Sequence, residues 1–175
     1  MYLFLVRHGL TDANINNLFN GRNERDLNET GVKQAEKIAP IIQRLPIDII
    51  ISSPLKRTIH TSDILNLNHL DILLDDRIIE RDFKEFTLKP MTLIQDISKL
   101  YSLDDGAQFY DIESFQSLYD RVSDFIADIK KRYSDKNILV VTHGDLIVAF
   151  QRYFEGKNPN NYPDNCKIFK YEICL

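Results

Sequence analysis

Met1-Tyr2-Leu3-Phe4-Leu5-Val6 is an unbroken apolar run that stops at Arg7-His8-Gly9, and that junction decides how the chain is read. A continuous apolar run of this length marks a strand buried on both faces. A strand ending in an arginine and a histidine delivers a cation and a nucleophile to the rim of its sheet. That rim is where open α/β sheets bind ligands. The arrangement recurs near the other end of the chain, where Asn137-Ile138-Leu139-Val140-Val141-Thr142 runs into His143-Gly144. Two buried strands that each end in His-Gly predict two imidazoles converging on one pocket.

Between these strands, helix and strand signals alternate. A polar loop covers Thr11 to Asn28. Thr30 then starts a helix with apolar residues at helical spacing from Lys33 to Arg44, and Pro40 within it predicts a kink or break. Asp48-Ile49-Ile50-Ile51-Ser52 reads as another buried strand, followed by Ser53-Pro54 and a helix from Leu55 to Leu67. Leu70 to Ile79 supplies a further strand region. A short helix over Met91–Tyr101 and a turn at Asp104-Asp105-Gly106 sit inside a less regular stretch. An amphipathic helix from Ser114 to Tyr133 follows, with Asp111 or Ser114 as its cap. The second His-Gly strand, a helix from Asp145 to Phe154 and an alternating edge strand from Lys167 to Ile173 complete the chain. Strands alternating with helices predict an α/β fold, a three-layer α/β/α sandwich around a mostly parallel sheet. The expectation is a single domain over residues 1–175 with a short lid insertion at about 84–113.

The bulk numbers agree with that reading. A chain of 175 residues buries roughly 70% of its unfolded surface without needing a disulfide or metal. Its 43% hydrophobic and 27% charged content is ordinary for a globular protein. The net charge of −4 argues against nucleic acid or an anionic membrane as partner, so an anion site must be a local basic focus. No apolar stretch approaches the ~18–20 residues of a membrane span, and the opening run is too short for a signal segment. A cytoplasmic location is expected. Cys166 and Cys174 would lie about 27 Å apart if extended, too far for a disulfide.

Arg7 beside His8 would be a buried charge without a partner unless an anion is supplied. Arg57, in Ser53-Pro54-Leu55-Lys56-Arg57, opens a helix after another buried strand, where guanidinium forks and helix N-termini both favour phosphate oxygens. The histidines have no carboxylate or cysteine at metal-ligand spacing, so a phosphoryl pocket without metal or cofactor is the expectation.

These residues resemble the histidine phosphatase superfamily, the phosphoglycerate-mutase-like group. Val6-Arg7-His8-Gly9 with Thr11 and Asn14 is similar to that family's opening motif. Gly21, Leu27, Gly31, Gln34 and Ala35 match its next pattern, and Ser53, Leu55, Arg57 and Thr61 its second arginine motif. Glu80 with Phe83 resembles the acid motif, and Val141-Thr142-His143-Gly144 the second histidine motif. The resemblance implies that His8 is the nucleophile, forming a phosphohistidine, with Arg7, Arg57 and His143 holding the phosphoryl oxygens. Glu80 is implied as the general acid and then the base. The neighbouring carboxylates Asp82 and Glu85 are alternatives. Asn14, Gly9, Thr11, Gly21, Arg22 and Gly144 are expected around the substrate, with Gly9 and Thr11 contributing backbone amides. His8 should donate from its other ring nitrogen to a backbone carbonyl.

Leu10 stands where the family usually has glutamate, Glu24 replaces an aspartate, and Lys84, Phe86 and Leu88 replace glycine, tryptophan and glycine. The expected lid is short and poorly basic: Lys84, Lys89 and Lys99 are offset by Glu85, Asp96, Asp104, Asp105 and Asp111. Water would enter freely, so hydrolysis of a small phosphorylated metabolite is expected over mutase-type transfer. The leaving group would be neutral or apolar against Phe83, Phe86, Tyr101, Phe109 and Tyr110, as for α-ribazole phosphate or a broad-specificity enzyme. The alternatives are phosphoglycerate mutase activity and a catalytically silent phosphate-binding module. His60, Glu113 and Ser114 read as structural, and Arg81 as a partner for a carboxylate. The chain is expected to be a monomer or homodimer.

Overall fold

The computed structural model describes residues 1–103 and 110–174. Strand β1 (Tyr2–Arg7) leads through a short α1 (Asp12–Ile15) to α2 (Glu29–Gln43), β2 (Ile49–Ser52), α3 (Lys56–Leu65) and β3 (Ile72–Leu74). After a run of 3-10 turns come α4 (Phe115–Arg132), β4 (Ile138–Thr142), α5 (Gly144–Glu155) and β5 (Ile168–Glu172). The sheet order is β3-β2-β4-β1-β5. Its first four strands are mutually parallel, and β5 pairs antiparallel with β1 at the edge.

Strand periodicity splits the core in two. Leu3 and Leu5 of β1 and Ile138 and Val140 of β4 face α4 and α5, packing with Phe115, Leu118, Phe125 and Phe150. Their neighbours Phe4, Val6, Leu139 and Val141 face α2 and α3, against Ala35, Ala39, Ile42 and Leu65. Because both faces are covered, these strands carry no polar alternation, and the α/β/α layering predicted from the sequence is observed. Among the described residues, no helix is long and apolar enough to cross a membrane.

The parallel ladders run past the strand ends, with the His8 amide donating to the Thr142 carbonyl at 3.0 Å and the Ser53 amide to Val141 at 3.0 Å. His8, Ser53 and His143 therefore leave three adjacent strands side by side at one rim. Where β1 exits, the chain touches α2. A Cβ on Gly9 would lie 2.4 Å from the Gly31 carbonyl oxygen, and one on Gly31 would lie 2.1 Å from that of Leu10. Gln34 Oε1 accepts the Leu10 amide at 3.0 Å. Gly31, Gln34 and Ala35 thus serve the packing of strand against helix.

Four local expectations are corrected. Asn28, not Thr30, caps α2, its Oδ1 accepting the Gly31 amide at 2.9 Å. The helix runs through Pro40 without a break, because Pro40 and Glu36, whose carbonyl loses its partner, are both on the exposed face. The strand region from Leu70 to Ile79 is only β3. Asp75 ends it by accepting the Arg77 amide at 2.9 Å and starting a 3-10 turn, Asp76–Ile78. Met91–Tyr101 is two 3-10 turns, Met91–Leu93 and Ile97–Tyr101, because Asp96 caps a fresh turn through the Ser98 amide. The turn at Asp104-Asp105-Gly106 and Phe109 lie outside the described residues. Ser114 caps α4 as expected, accepting from Ser117 at 3.1 Å. The stretch around the acid motif has its own apolar cluster of Phe19, Phe83, Ile94, Leu100 and Ile112.

Candidate active site

Neutral imidazole is the ground state at the end of β1. His8 is 1% exposed, and burial, with Arg57 and Arg7 close by, holds its pKa well below the usual histidine range. Its Nδ1 lies 2.7 Å from the Gly9 carbonyl oxygen, which can only accept, so Nδ1 carries the proton. Nε2 keeps its lone pair and accepts Arg57 Nε–H at 3.2 Å. The sequence asked for this tautomer.

Two guanidiniums flank the ring and, among the described residues, neither is neutralised by direct contact with a carboxylate. Arg57, fully buried, donates Nη1 to the Asn23 carbonyl at 2.9 Å and Nη2 to Gly21 at 2.7 Å. Burial lowers its pKa to about 10, which leaves it charged at neutral pH. Gly21 supplies that carbonyl from a left-handed conformation, φ 57°, open to glycine without strain. Arg7 donates Nη1 to the Pro163 carbonyl at 2.6 Å and stacks on the Tyr162 ring, 5.0 Å from its centroid. Its buried Nε has no hydrogen-bond partner.

His143 enters from β4 with its ring 5.2 Å from that of His8 and tilted 62°. Burial, then Arg57 and His8, depress its pKa too. Its Nε2 shares a 2.7 Å hydrogen bond with Ser53 Oγ, while the buried Nδ1 has no hydrogen-bond partner and sits 4.0 Å from Glu80 Oε2. Since the ring is neutral, that approach is a contact, not an ion pair.

Glu80 is the carboxylate brought to this point; Asp82 and Glu85 are not. Asp82 is turned to Lys84, 2.8 Å away, and Glu85 lies on the surface near Lys89. The Glu80 segment is pinned from three sides: Thr142 Oγ1 donates to the Ile78 carbonyl at 2.8 Å, Arg121 to Ile79 at 3.0 Å, and Arg22 to Glu80 itself at 3.0 Å. Its Oε1 accepts the Arg81 amide at 2.9 Å. Burial and then the nearby Asp145 push its pKa up to about 7, against the pull of Arg57 and Arg7. That shift brings its protonated form towards neutral pH, the range in which a general acid works.

Around these groups lies a cavity of about 60 Å³ lined by Arg7, His8, Asn14, Glu80, Tyr101 and Asp145, with Leu18, Phe19, Phe83 and Met91 as an apolar wall. Asn14 Oδ1 is occupied by the Thr11 amide at 3.1 Å and hydroxyl at 2.9 Å, which leaves its NH2 available to the cavity. Several expected neighbours serve otherwise. The Thr11 amide goes to Asn14, and the Gly9 amide donates to Thr61 Oγ1 at 3.1 Å, so neither is offered to a ligand. Arg22 is spent on Glu80 and, at 2.9 Å, on Glu113. Gly144 makes room: a Cβ there would meet the Tyr162 hydroxyl at 2.0 Å. His60 pairs with Asp26 at 2.8 Å on the surface, and Glu113 gathers Arg22 and Arg121. Sequence reading missed Tyr162 and Asp145. The signal for Asp145 was an acid placed between His143-Gly144 and an apolar helix.

An α/β sheet that brings two buried histidines, two guanidiniums and a carboxyl to one rim has the layout of an anion pocket. The chain belongs to the histidine phosphatase superfamily (branch 1), whose pattern it matches over residues 3–173, and is an enzyme of that type. It is 33% identical over 156 residues to the protein named "Uncharacterized phosphatase PhoE" of Bacillus subtilis (strain 168), covering 89% of this chain and 78% of that one. Phosphoserine phosphatase 1 of Hydrogenobacter thermophilus is also 33% identical, over 81% of this chain and 70% of its own length. Among solved structures, the α-ribazole phosphatase of Shigella flexneri superposes with a TM-score of 0.81 at 26% identity, over 99% of this chain and 91% of that one.

Proposed function

We propose that the protein hydrolyses a small phosphomonoester through a phosphohistidine on His8, using no metal. The observation that carries this reading is the geometry of the rim: His8, its Nδ1 turned to the Gly9 carbonyl and its Nε2 left with a lone pair, shares an arginine-flanked cavity with the buried Glu80 carboxyl, whose pKa burial pushes up. His8 Nε2 attacks phosphorus and the bond to the leaving oxygen breaks. The electron pair goes to that oxygen, which takes the proton of Glu80 Oε2. Water then attacks phosphorus, Glu80 takes its proton, the P–N bond breaks, and the pair returns to Nε2. Arg7, Arg57 and His143 stabilise the equatorial oxygens. His143 does so from Nδ1–H, which requires Nε2 to accept from the Ser53 hydroxyl. Asn14 adds its NH2.

Hydrolysis is favoured over transfer because the stretch 84–113, read as a lid, brings few free cations to retain a second phosphate. Lys84 and Lys89 pair with Asp82 and Glu85. The leaving-group side of the cavity is apolar and carries carboxyls, not cations. That favours an uncharged leaving group, such as that of α-ribazole phosphate, over phosphoserine, whose carboxylate would face Glu80 and Asp145. The purified protein should turn over p-nitrophenyl phosphate without added metal, insensitive to chelator and inhibited by vanadate. A panel of α-ribazole phosphate, phosphoserine, 3-phosphoglycerate and sugar phosphates should rank the uncharged leaving groups first. No turnover on any phosphomonoester would leave the protein a phosphate-binding module.

A further inference from the structure

Asp145 opens α5 from a position 1% exposed, and three segments converge on it. The hydroxyls of Tyr101, from the 3-10 turn Ile97–Tyr101, and Tyr162, from the loop before β5, donate to Oδ1 at 2.9 and 2.8 Å. Arg81 Nε stands 3.1 Å from Oδ2. Arg81 is itself fully buried, with its guanidinium over the rings of Tyr101, Phe115 and Phe83 at 5.3, 5.8 and 5.9 Å. Its backbone amide is the one that holds Glu80 Oε1. One residue thus links the two carboxyls, holding Glu80 through its main-chain amide and facing Asp145 as an ion pair that lacks hydrogen-bond geometry.

Two buried carboxyls in one cavity lining do not both ionise freely. Glu80 faces Arg57 from α3, Arg7 and His8 from the end of β1, His143 from the end of β4, and Asp145 with Tyr101 and Tyr162. The arginines favour its charged form and Asp145 opposes it. Asp145 Oδ1 accepts two hydroxyls and Oδ2 faces the Arg81 guanidinium as an ion pair only, whereas Glu80 accepts a single backbone amide. The two hydroxyls hold Asp145 in the same cavity lining as Glu80, where it favours the protonated form of the Glu80 carboxyl.

We propose that Asp145 is a positioning residue for the general acid: anchored by Tyr101, Tyr162 and Arg81, it fixes the Glu80 carboxyl and keeps its proton in place until the leaving oxygen takes it. This rests on Glu80 acting as the acid in the proposed phosphatase reaction.

The test is the pH profile of kcat for glycerol 2-phosphate, a poor leaving group, and for p-nitrophenyl phosphate, which needs little protonation. Asp145→Asn keeps an acceptor for the tyrosines and removes the charge. The alkaline limb for glycerol 2-phosphate should move down by about one pH unit or more, with p-nitrophenyl phosphate affected less. Tyr101→Phe leaves the Asp145 charge less compensated, so the limb should move up. A purely structural Asp145 would lower both rates and leave the limb where it was, which overturns the proposal. Where Asp145→Asn does not fold, Tyr101→Phe decides alone, and an unmoved limb overturns it equally. A limb abolished by Glu80→Gln but unmoved by Asp145→Asn defeats only the role of Asp145. A limb that survives Glu80→Gln, or a wild type without activity, defeats the underlying reading of the site.

Discussion

Replacing Glu80 by glutamine separates the two halves of the proposed reaction. Glutamine keeps an acceptor for the Arg81 amide, 2.9 Å from Oε1 in the wild type, and fills nearly the same volume in a site only 4% exposed. What it removes is the transferable proton. A positioned general acid is worth about 10²–10⁴ in rate, or about 3–5 kcal/mol of transition-state stabilisation. That loss should appear in kcat/KM only where the leaving oxygen needs a proton. For an alkyl phosphate kcat/KM should fall by about 10²–10⁴. For p-nitrophenyl phosphate it should fall by less than about tenfold, because that step ends with a stable phenolate. The second half-reaction loses its base for both substrates, so rapid-mixing experiments should show a burst of about one equivalent of p-nitrophenol followed by slow turnover. In the wild type, with Glu80 pushed up to about 7, the alkyl-phosphate rate should decline tenfold per pH unit above neutrality. Equal losses on the two leaving groups, with no burst, would refute leaving-group protonation by this residue.

Three further outcomes follow from the same geometry. His8→Ala should abolish acid-labile, alkali-stable phosphoprotein on rapid quench with labelled substrate; label that persists would move the nucleophile elsewhere. Gly144→Ala should cost about 1–3 kcal/mol by overpacking, since its Cβ meets the Tyr162 hydroxyl at 2.0 Å. In a Tyr162→Ala background that cost should largely vanish, and denaturant titrations showing additive losses would contradict the contact. In phosphate-free buffer, His8 and His143, held neutral below the ordinary 6.5, lose stability for the fold as pH falls through that value, because the unfolded chain binds their protons first. Glu80, raised from 4.5 to about 7, acts oppositely: its contribution is full below 4.5 and fades as pH rises to 7. Two terms against one leave stability rising with pH below about 6.5 while both imidazoles stay neutral. Glu80→Gln should steepen that slope; denaturation curves that flatten instead would reverse the sign.

The parts legible in the sequence were those written in consecutive residues. β1 and β4 declare themselves because a strand covered on both faces must be apolar at every position, and Arg7, His8 and His143 fall where that run stops. The cap of α2 was misread because Asn28, two residues before Thr30, already accepts the Gly31 amide, and the continuity through Pro40 because it depends on which way the helix faces. Arg22 was read as reaching substrate because a loop arginine beside a glycine motif has no visible partner in the sequence. Its partners, the Glu80 carbonyl and Glu113, lie far along the chain. Asp145 was passed over for the same reason. An acid in the first turn of a helix is ordinarily a solvated dipole partner, and only the arrival of Tyr101, Tyr162 and Arg81 makes it a buried one.

The charge layout gives the strongest argument about chemistry. Arg57 and Arg7 spend donors on the carbonyls of Asn23, Gly21 and Pro163, groups that satisfy hydrogen bonds without cancelling charge. The positive potential therefore stays available to an incoming dianion. Among the described residues, Glu80 and Asp145 line the same cavity as Arg7 without pairing directly with Arg7 or Arg57. An anionic leaving group would meet Glu80 and Asp145 on its way out, whereas an alcohol meets a proton. That difference, more than the size of the cavity, supports the proposed preference for an uncharged leaving group.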